Sequence, residues 1–302
     1  MAQARVVRFY LDPPLKRSAE RGQHNFLTLV AETLIEAGFR VAYHRDSAEE
    51  REKSRGRNGF ALFHMAPPTT QRGVTIRRAY HYPFWAIEPQ AERWHWHVAR
   101  SRFNPETLDP ALAKRFTEFW RKRLFAGWQA RDDGFVYVPL QGRLADHRAF
   151  QTCSPIAMLN EVLARDPRPV VATLHPGETY SVAELSALQA LVDAHPRLTL
   201  ASGQMDRFLP ACSCVVTQNS SAAFNGYFFE KPTVLFAQVD FHHIAGSVPR
   251  DGVDAAFAAR KAPLPAYACY LWWYWQHMSI NAGHPSAKVR IAQALRRAGW
   301  PM

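Results

Sequence analysis

Cysteine is scarce: the 302 residues hold four, Cys153, Cys212, Cys214 and Cys269. So few, and so scattered, they exclude a disulfide framework. Cys212 and Cys214 lie two apart in an apolar run, which puts both on one face of a strand and favours buried free thiols over metal ligands. No run reaches the roughly 18 apolar residues that cross a bilayer. Arg5 and Arg8 interrupt the one short apolar stretch near the start, so no secretory signal is read. The expectation is a cytoplasmic protein, with peripheral contact at the inner membrane left open. Zinc-finger spacing and a heptad-bearing basic region are also missing, which argues against nucleic acid as the partner. With 47% hydrophobic and 21% charged residues, the chain is no disordered or low-complexity sequence. It has material for one large domain or two of roughly 150 residues.

What is abundant is positive charge. The formal charge is +11, and residues 1–150 hold 25 Lys/Arg against 16 Asp/Glu, while residues 151–302 hold 12 against 10. A basic first half attracts anions: acidic glycans, phosphorylated substrates or an anionic membrane surface. A merely solvated basic surface has the same composition.

Short β-rich runs alternate with amphipathic patterns, the signature of parallel α/β units. Val6–Leu11 reads as a strand ending at Asp12-Pro13-Pro14, Phe26–Ile35 as a helix stopped by Gly38, and Arg40–His44 and Phe60–Met65 as two more strands. The charged segment from Asp46 to Arg57 reads as a loop, giving a βαββ start. From Thr75 to Phe103 aromatics and histidines crowd together, Tyr80, His81, Tyr82, Phe84, Trp85, Trp94, His95, Trp96 and His97 among them. They line a sugar pocket or pack an irregular loop. A helix over Pro110–Trp128 carries Leu112, Phe116, Phe119, Trp120 and Leu124 on its apolar stripe. The Arg131–Gly134 turn marks a boundary, predicting a first domain over 1–133 and a second over 134–260. The second predicts strands at Phe135–Val138, Pro169–Leu174, Leu198–Ala201, Cys214–Thr217 and Thr233–Phe236, with helices at Pro155–Arg165, Val182–Ala194 and Ser221–Phe229. Residues 261–302, with the aromatic segment Tyr270–Trp275, predict helices that cross back to the first domain.

In such a sheet the loops at the carboxyl ends of the strands gather where ligands bind. Three predicted loops fall there. Gln141-Gly142-Arg143 offers a tight turn at Gly142 and a guanidinium fork for phosphate or carboxylate. His175-Pro176-Gly177 ends a buried strand with an imidazole able to donate to a phosphate oxygen, on a turn stiffened by Pro176. Asn219-Ser220-Ser221 starts a helix, where hydroxyls and free amides make an anion site or an ordinary Ser cap.

As an ordered set, Val138-Pro139-Leu140-Gln141 with Asp146, then His175-Pro176, then Thr217-Gln218-Asn219-Ser220-Ser221, then Glu230-Lys231-Pro232-Thr233-Val234 resembles the C-terminal domain of GT-B glycosyltransferases of the capsular polysaccharide biosynthesis type, which include Kdo transferases. The resemblance spans roughly residues 135–250. It implies two Rossmann-like α/β domains facing a cleft, and transfer of Kdo or a related acidic sugar from a nucleotide donor, CMP-linked in those enzymes, to a capsule or lipopolysaccharide-type acceptor. It implies that His175, Ser220 and Ser221 contact the donor phosphate, with Asn219 beside them. If these groups and the helix dipole neutralise the departing phosphate, neither a metal nor a cofactor is called for. UDP-sugar 2-epimerases and CDP-glycerol glycerophosphotransferases share the His-Pro and Ser-Ser features, so those activities, and a non-catalytic glycan- or nucleotide-binding role, stay open. The acidic catalytic residue that the resemblance implies for the first domain has no aligned counterpart. Glu88, after the apolar run Tyr82–Ile87, is the candidate, as general base or nucleophile; an ion-paired structural Glu is the alternative.

Overall fold

The computed structural model describes residues 5–262 and 265–302, so residues 1–4 of the expected first domain and 263–264 of the expected C-terminal stretch lie outside it. In chain order the elements are β1 (Val6–Leu11), α1 (Pro13–Glu20), α2 (Asn25–Glu36), β2 (Arg40–Arg45), α3 (Ala48–Gly56), β3 (Phe60–His64), β4 (Gly73–Arg78), β5 (Phe84–Glu88), α4 (His97–Arg100), α5 (Pro110–Leu124) and β6 (Val136–Pro139). There follow α6 (Pro155–Arg165), β7 (Val170–Leu174), α7 (Val182–Ala194), β8 (Leu198–Ser202), α8 (Met205–Phe208), β9 (Cys214–Thr217), α9 (Ser221–Gly226), β10 (Thr233–Leu235), β11 (Gly246–Ser247), α10 (Val248–Asp251), α11 (Val253–Ala258), α12 (Tyr267–Trp272), β12 (Ile280–Asn281) and α13 (Ala287–Arg297).

These elements form two compact units. Among the described residues, unit 1 comprises 5–101 and 274–302, and unit 2 comprises 102–262 and 265–273. The divisions fall at 101/102 and 273/274, where the sequence placed them at 133/134 and 260/261. The difference is α5, which buries Ala113 and Trp120 and packs against α12 within unit 2.

Unit 1 is built on a six-stranded sheet of order β12-β5-β4-β3-β1-β2. Strands β2, β1, β3 and β4 are mutually parallel; β5 runs antiparallel to β4, and β12 antiparallel to β5. Val7, Phe9, Leu62, Val74 and Ile76 pack with Phe26, Val30 and Leu34 of α2 and with Ile291 and Leu295 of α13 in one buried cluster. The last residues of the chain therefore complete the core of the first.

Three expectations change here. The segment predicted as a charged loop contains a helix, α3, capped by Ser47, with Glu49 and Glu50 in its first turn and Lys53 and Arg55 in its last. It buries only Ser54 and so carries no apolar period to find. A second unpredicted helix, α1, starts at Pro13, where Asp12 accepts the Leu15 N–H and proline fills the first position. The start is thus βαβαβ in its parallel strands rather than βαββ. The aromatic-rich segment is neither a pocket wall throughout nor an irregular loop throughout. It contains β5, whose Phe84 and Trp85 are buried, with Phe26 stacked on Trp85 at 4.7 Å.

Unit 2 carries a second six-stranded sheet, all parallel, of order β11-β10-β9-β6-β7-β8. Its central strands are continuous apolar runs, as a sheet covered on both faces requires. Val136, Val138, Val170, Ala172, Cys214 and Val216 pack against Met158, Leu159 and Val162 of α6. Cys212 and Cys214 are buried free thiols, and burial pushes both upward from the ordinary thiol range. Thr217 Oγ1 donates to the Pro139 carbonyl at 2.8 Å, tying the end of β9 to the end of β6.

Candidate functional site

Strand order places the three expected loops side by side in unit 2. β9, β6 and β7 are adjacent in the sheet, so Asn219–Ser221, Gln141–Arg143 and His175–Pro176 all leave its carboxyl edge in sequence across three neighbouring strands. Two inter-strand spacings amount to about 10 Å, the reach of a nucleotide's phosphates and sugar.

Each loop has its own chemistry. The His175 N–H donates to the Tyr180 hydroxyl at 2.8 Å, while the ring Nδ1 accepts the Gly177 N–H at 3.1 Å. With Nδ1 occupied as an acceptor, the proton of the neutral ring sits on Nε2, and the exposed imidazole offers a donor outward. Pro176 and Gly177 make the turn that allows this. Ser220 is the N-cap of α9, its hydroxyl accepting the Ala222 N–H at 3.3 Å, and the Ser221 hydroxyl is exposed beside it. The ordinary cap and the polar site are thus one geometry, since Ser221 is left facing solvent. Asn219 is half-buried between them and β9.

In the loop after β6 the left-handed residue is Arg143, at φ 63°, rather than the glycine before it. At Gly142 the chain passes close to the Glu178 carboxylate, so a Cβ there would displace the end of that exposed side chain. Arg143 Nε donates to Asp146 at 2.6 Å on an exposed turn, so this guanidinium is oriented by a local carboxylate. The loop is also pinned from α7, because the Leu144 N–H donates to Glu184 Oε1. Glu184 closes a capping box with Ser181 at the start of α7, and its carboxyl is held below the ordinary range chiefly by the backbone and side-chain hydrogen bonds from Ser181. Two buried carboxamide oxygens, those of Gln141 and Gln218, have no hydrogen-bond partner among the described residues. Buried acceptors are seldom left so, and both stand on the loops that follow β6 and β9. In the sequence Glu178 and Gln218 stand within the His175 and Asn219–Ser221 runs without a role of their own, and Glu184 is signalled by Ser181-x-x-Glu184 alone.

Glu88 is placed differently from the other seven residues. It ends β5 opposite Thr75, which puts it level with Phe63, the last residue but one of β3. Its carboxylate is 6% exposed and accepts the His97 N–H, at 3.1 Å to Oε1 and 3.2 Å to Oε2, at the start of α4. An apolar run in a sequence does not show that the acid after it will be buried against a backbone amide, and that is what sets Glu88 apart.

The carboxyl ends of the parallel strands in unit 1 carry another set. Asp12 follows β1 and His64 ends β3, with Asp12 Oδ2 3.8 Å from His64 Nδ1. The His24, Phe26 and His64 rings surround the Trp85 ring, and the Arg78 guanidinium lies 5.6 Å from its centroid. Burial lowers the pKa of both His24 and His64, which keeps them neutral at pH 7. Asp12 is half-exposed, so a carboxylate, two neutral imidazoles and a guanidinium are presented together at the edge where ligands bind in such sheets.

No protein-family model matches the sequence, and no curated protein matches it. Among solved structures, KpsC, beta Kdo 2,7 transferase, of Thermosulfurimonas dismutans is similar over 97% of this chain and 99% of that chain, with a TM-score of 0.53 at 12% identity. The S. aureus MnaA–UDP co-structure is similar over 97% and 95%, with a TM-score of 0.38 at 12% identity. Methanocaldococcus jannaschii UDP-GlcNAc 2-epimerase in complex with UDP-GlcNAc and UDP is similar over 97% and 99%, with a TM-score of 0.35 at 8% identity. The fold is of the GT-B type, with two Rossmann-like parallel-sheet units.

Proposed function

We propose that the protein transfers a glycosyl group from a nucleotide sugar, with the donor phosphate held at the carboxyl edge of the unit 2 sheet. The observation that carries this reading is the adjacency of β9, β6 and β7, which lines up the Ser220 and Ser221 hydroxyls, the Gln141–Arg143 turn and the His175 Nε2 donor across about 10 Å. Asn219 and Pro176 shape the two outer loops. The donor is a CMP-linked acidic sugar such as Kdo, and the acceptor a capsule or lipopolysaccharide-type glycan; the likeness to a Kdo transferase in fold and the ordered motifs support that choice. Neutral and cationic donors from the protein would carry the phosphate charge, so turnover is expected to be insensitive to chelators.

The geometry favours Asp12 over Glu88 as the carboxylate for the reaction. Asp12 caps α1 through Oδ1 but stands half-exposed at a ligand-binding edge with Oδ2 toward a neutral imidazole, whereas Glu88 is buried with both oxygens on the His97 N–H. Epimerisation or glycerophosphate transfer would use the same phosphate loops, and a binding protein would keep them without the carboxylate.

Calorimetry with CMP, UDP, GDP and CDP tests the reading. CMP is expected to bind most tightly, and His175→Ala to weaken it roughly tenfold to a hundredfold, the worth of one charge-assisted hydrogen bond. Tight binding of UDP alone would favour the epimerase reading. Binding of none, or unchanged affinity in His175→Ala, would remove the phosphate role assigned here.

A further inference from the structure

The apolar stripe of α5 is wider than the part the fold uses. Leu112, Phe116, Phe119, Trp120 and Leu124 recur at helical spacing, yet among the helix residues only Ala113 and Trp120 are buried. Leu112 is 43% and Phe119 57% exposed, and Phe116 is half-exposed between them. Leu112, Phe116, Phe119 and Arg123 follow one another at spacings of four, three and four, so they form one outward stripe. Basic side chains border it: Arg115 and Lys122 on one flank, and Arg123 at its end, its guanidinium 5.8 Å from the Trp120 ring centroid. The helix carries five cations, Lys114, Arg115, Arg121, Lys122 and Arg123, against one acid, Glu118. That acid lies roughly 130° round the helix from the stripe. None of the five cations is ion-paired among the described residues.

We propose that this face of α5 docks on the surface of an anionic phospholipid bilayer. The helix is 15 residues long, about 22 Å, and lies in the interface plane; no helix among the described residues is long and apolar enough to cross a membrane. Leucine and phenylalanine enter the acyl boundary while the arginine and lysine stems extend back to the headgroup phosphates. A second copy of the chain fits the face poorly, because a symmetric contact would set Arg115, Lys122 and Arg123 against themselves. Val289 of α13 is exposed between Lys288 and Arg290, but it is a single apolar side chain rather than a stripe, and Lys288 is paired with Glu32 and Glu36. Val182 and Leu185 of α7 are exposed beside Glu184 rather than among cations. The inference is independent of the glycosyl-transfer reading, since it invokes neither nucleotide nor acceptor.

Co-sedimentation of the full chain with vesicles tests it. With phosphatidylcholine and phosphatidylglycerol in equal parts at low salt the protein is expected to pellet. On phosphatidylcholine alone, or in 0.5 M NaCl, binding is expected to fall at least tenfold. The variant Arg115→Gln/Lys122→Gln/Arg123→Gln is expected to lose about a hundredfold, at about fivefold per cation. Leu112→Ser/Phe119→Ser, checked for folding by thermal unfolding, is expected to lose at least tenfold. Val182→Ser/Leu185→Ser is expected to bind as the parent does. Equal binding to neutral vesicles, no binding to anionic ones, or parent-like binding by either α5 variant overturns the proposal. So does self-association of the free protein that Leu112→Ser/Phe119→Ser abolishes.

Discussion

Asp12 serves two chemistries at once. Its Oδ1 accepts the Leu15 N–H at 2.9 Å and starts α1, while Oδ2 faces His64. Asparagine caps a helix about as well as aspartate but holds no charge and takes no proton. Asp12→Asn should therefore keep the thermal midpoint while turnover drops by roughly 10² or more, the usual worth of a general base. Glu88→Gln keeps an oxygen acceptor for the His97 N–H and should retain turnover. Steady-state rates beside thermal unfolding check the pair; normal turnover in Asp12→Asn would reduce Asp12 to a cap. Neither role was visible in the residues alone. Both are acidic side chains near a strand end, and what separates them is burial: Glu88 is 6% exposed, whereas the Asp12 side chain is half-exposed.

Among the elements, α7 has a task beyond packing. Glu184 both closes the capping box with Ser181 and receives the Leu144 N–H from the loop after β6. Two variants divide these effects. Ser181→Ala should cost about 1 kcal/mol of stability, the worth of an N-cap, with nucleotide affinity kept. Glu184→Ala should cost a similar amount and also weaken nucleotide binding severalfold, because the Gln141–Leu144 segment loses its anchor. Denaturant unfolding and calorimetry on the same samples read the difference. The elements of unit 2 were the most legible in the sequence: α6, α7 and β9 run over the predicted spans, since buried parallel strands and amphipathic helices alternate there without interruption. In unit 1, α3 was missed because a helix held by its cap and by pairs such as Lys53–Glu49 shows no apolar period. The α5 stripe was visible, but the sequence could not tell that half of it faces outward.

Across the whole molecule, charge and protonation divide by unit. The basic excess of residues 1–150 read as a property of the first domain. Five of those cations lie on α5, which belongs to unit 2, so part of the field sits in the unit that carries the phosphate loops. The titrating groups divide too. His24, His44, His64, His97 and His277, all in unit 1, have pKa values lowered chiefly by burial. A histidine depressed in the folded state binds its proton first in the unfolded chain, so unit 1 should lose stability as pH falls below about 6.5. In unit 2 burial works against the charge of Asp166, but hydrogen bonds from Arg168 and Arg260 outweigh it and hold its carboxyl well below the usual range. That stabilisation is complete above the unfolded value of about 3.9 and is lost as pH drops below it. Hydrogen exchange over a pH series, corrected for intrinsic rates, should show protection falling in unit 1 first and in unit 2 only below about pH 4; simultaneous loss would contradict the assignment.

The sequence by itself determined the fold class and most unit 2 elements. Hydrophobic period and strand-end punctuation are local, and local patterns decide which residues enter which element. Only the tertiary structure decided that β5 runs antiparallel, that α5 belongs to unit 2, that residues 274–302 complete the core of unit 1, and that Asp12 meets His64. Each depends on strand direction or on contacts between residues far apart in the chain, which no local period encodes.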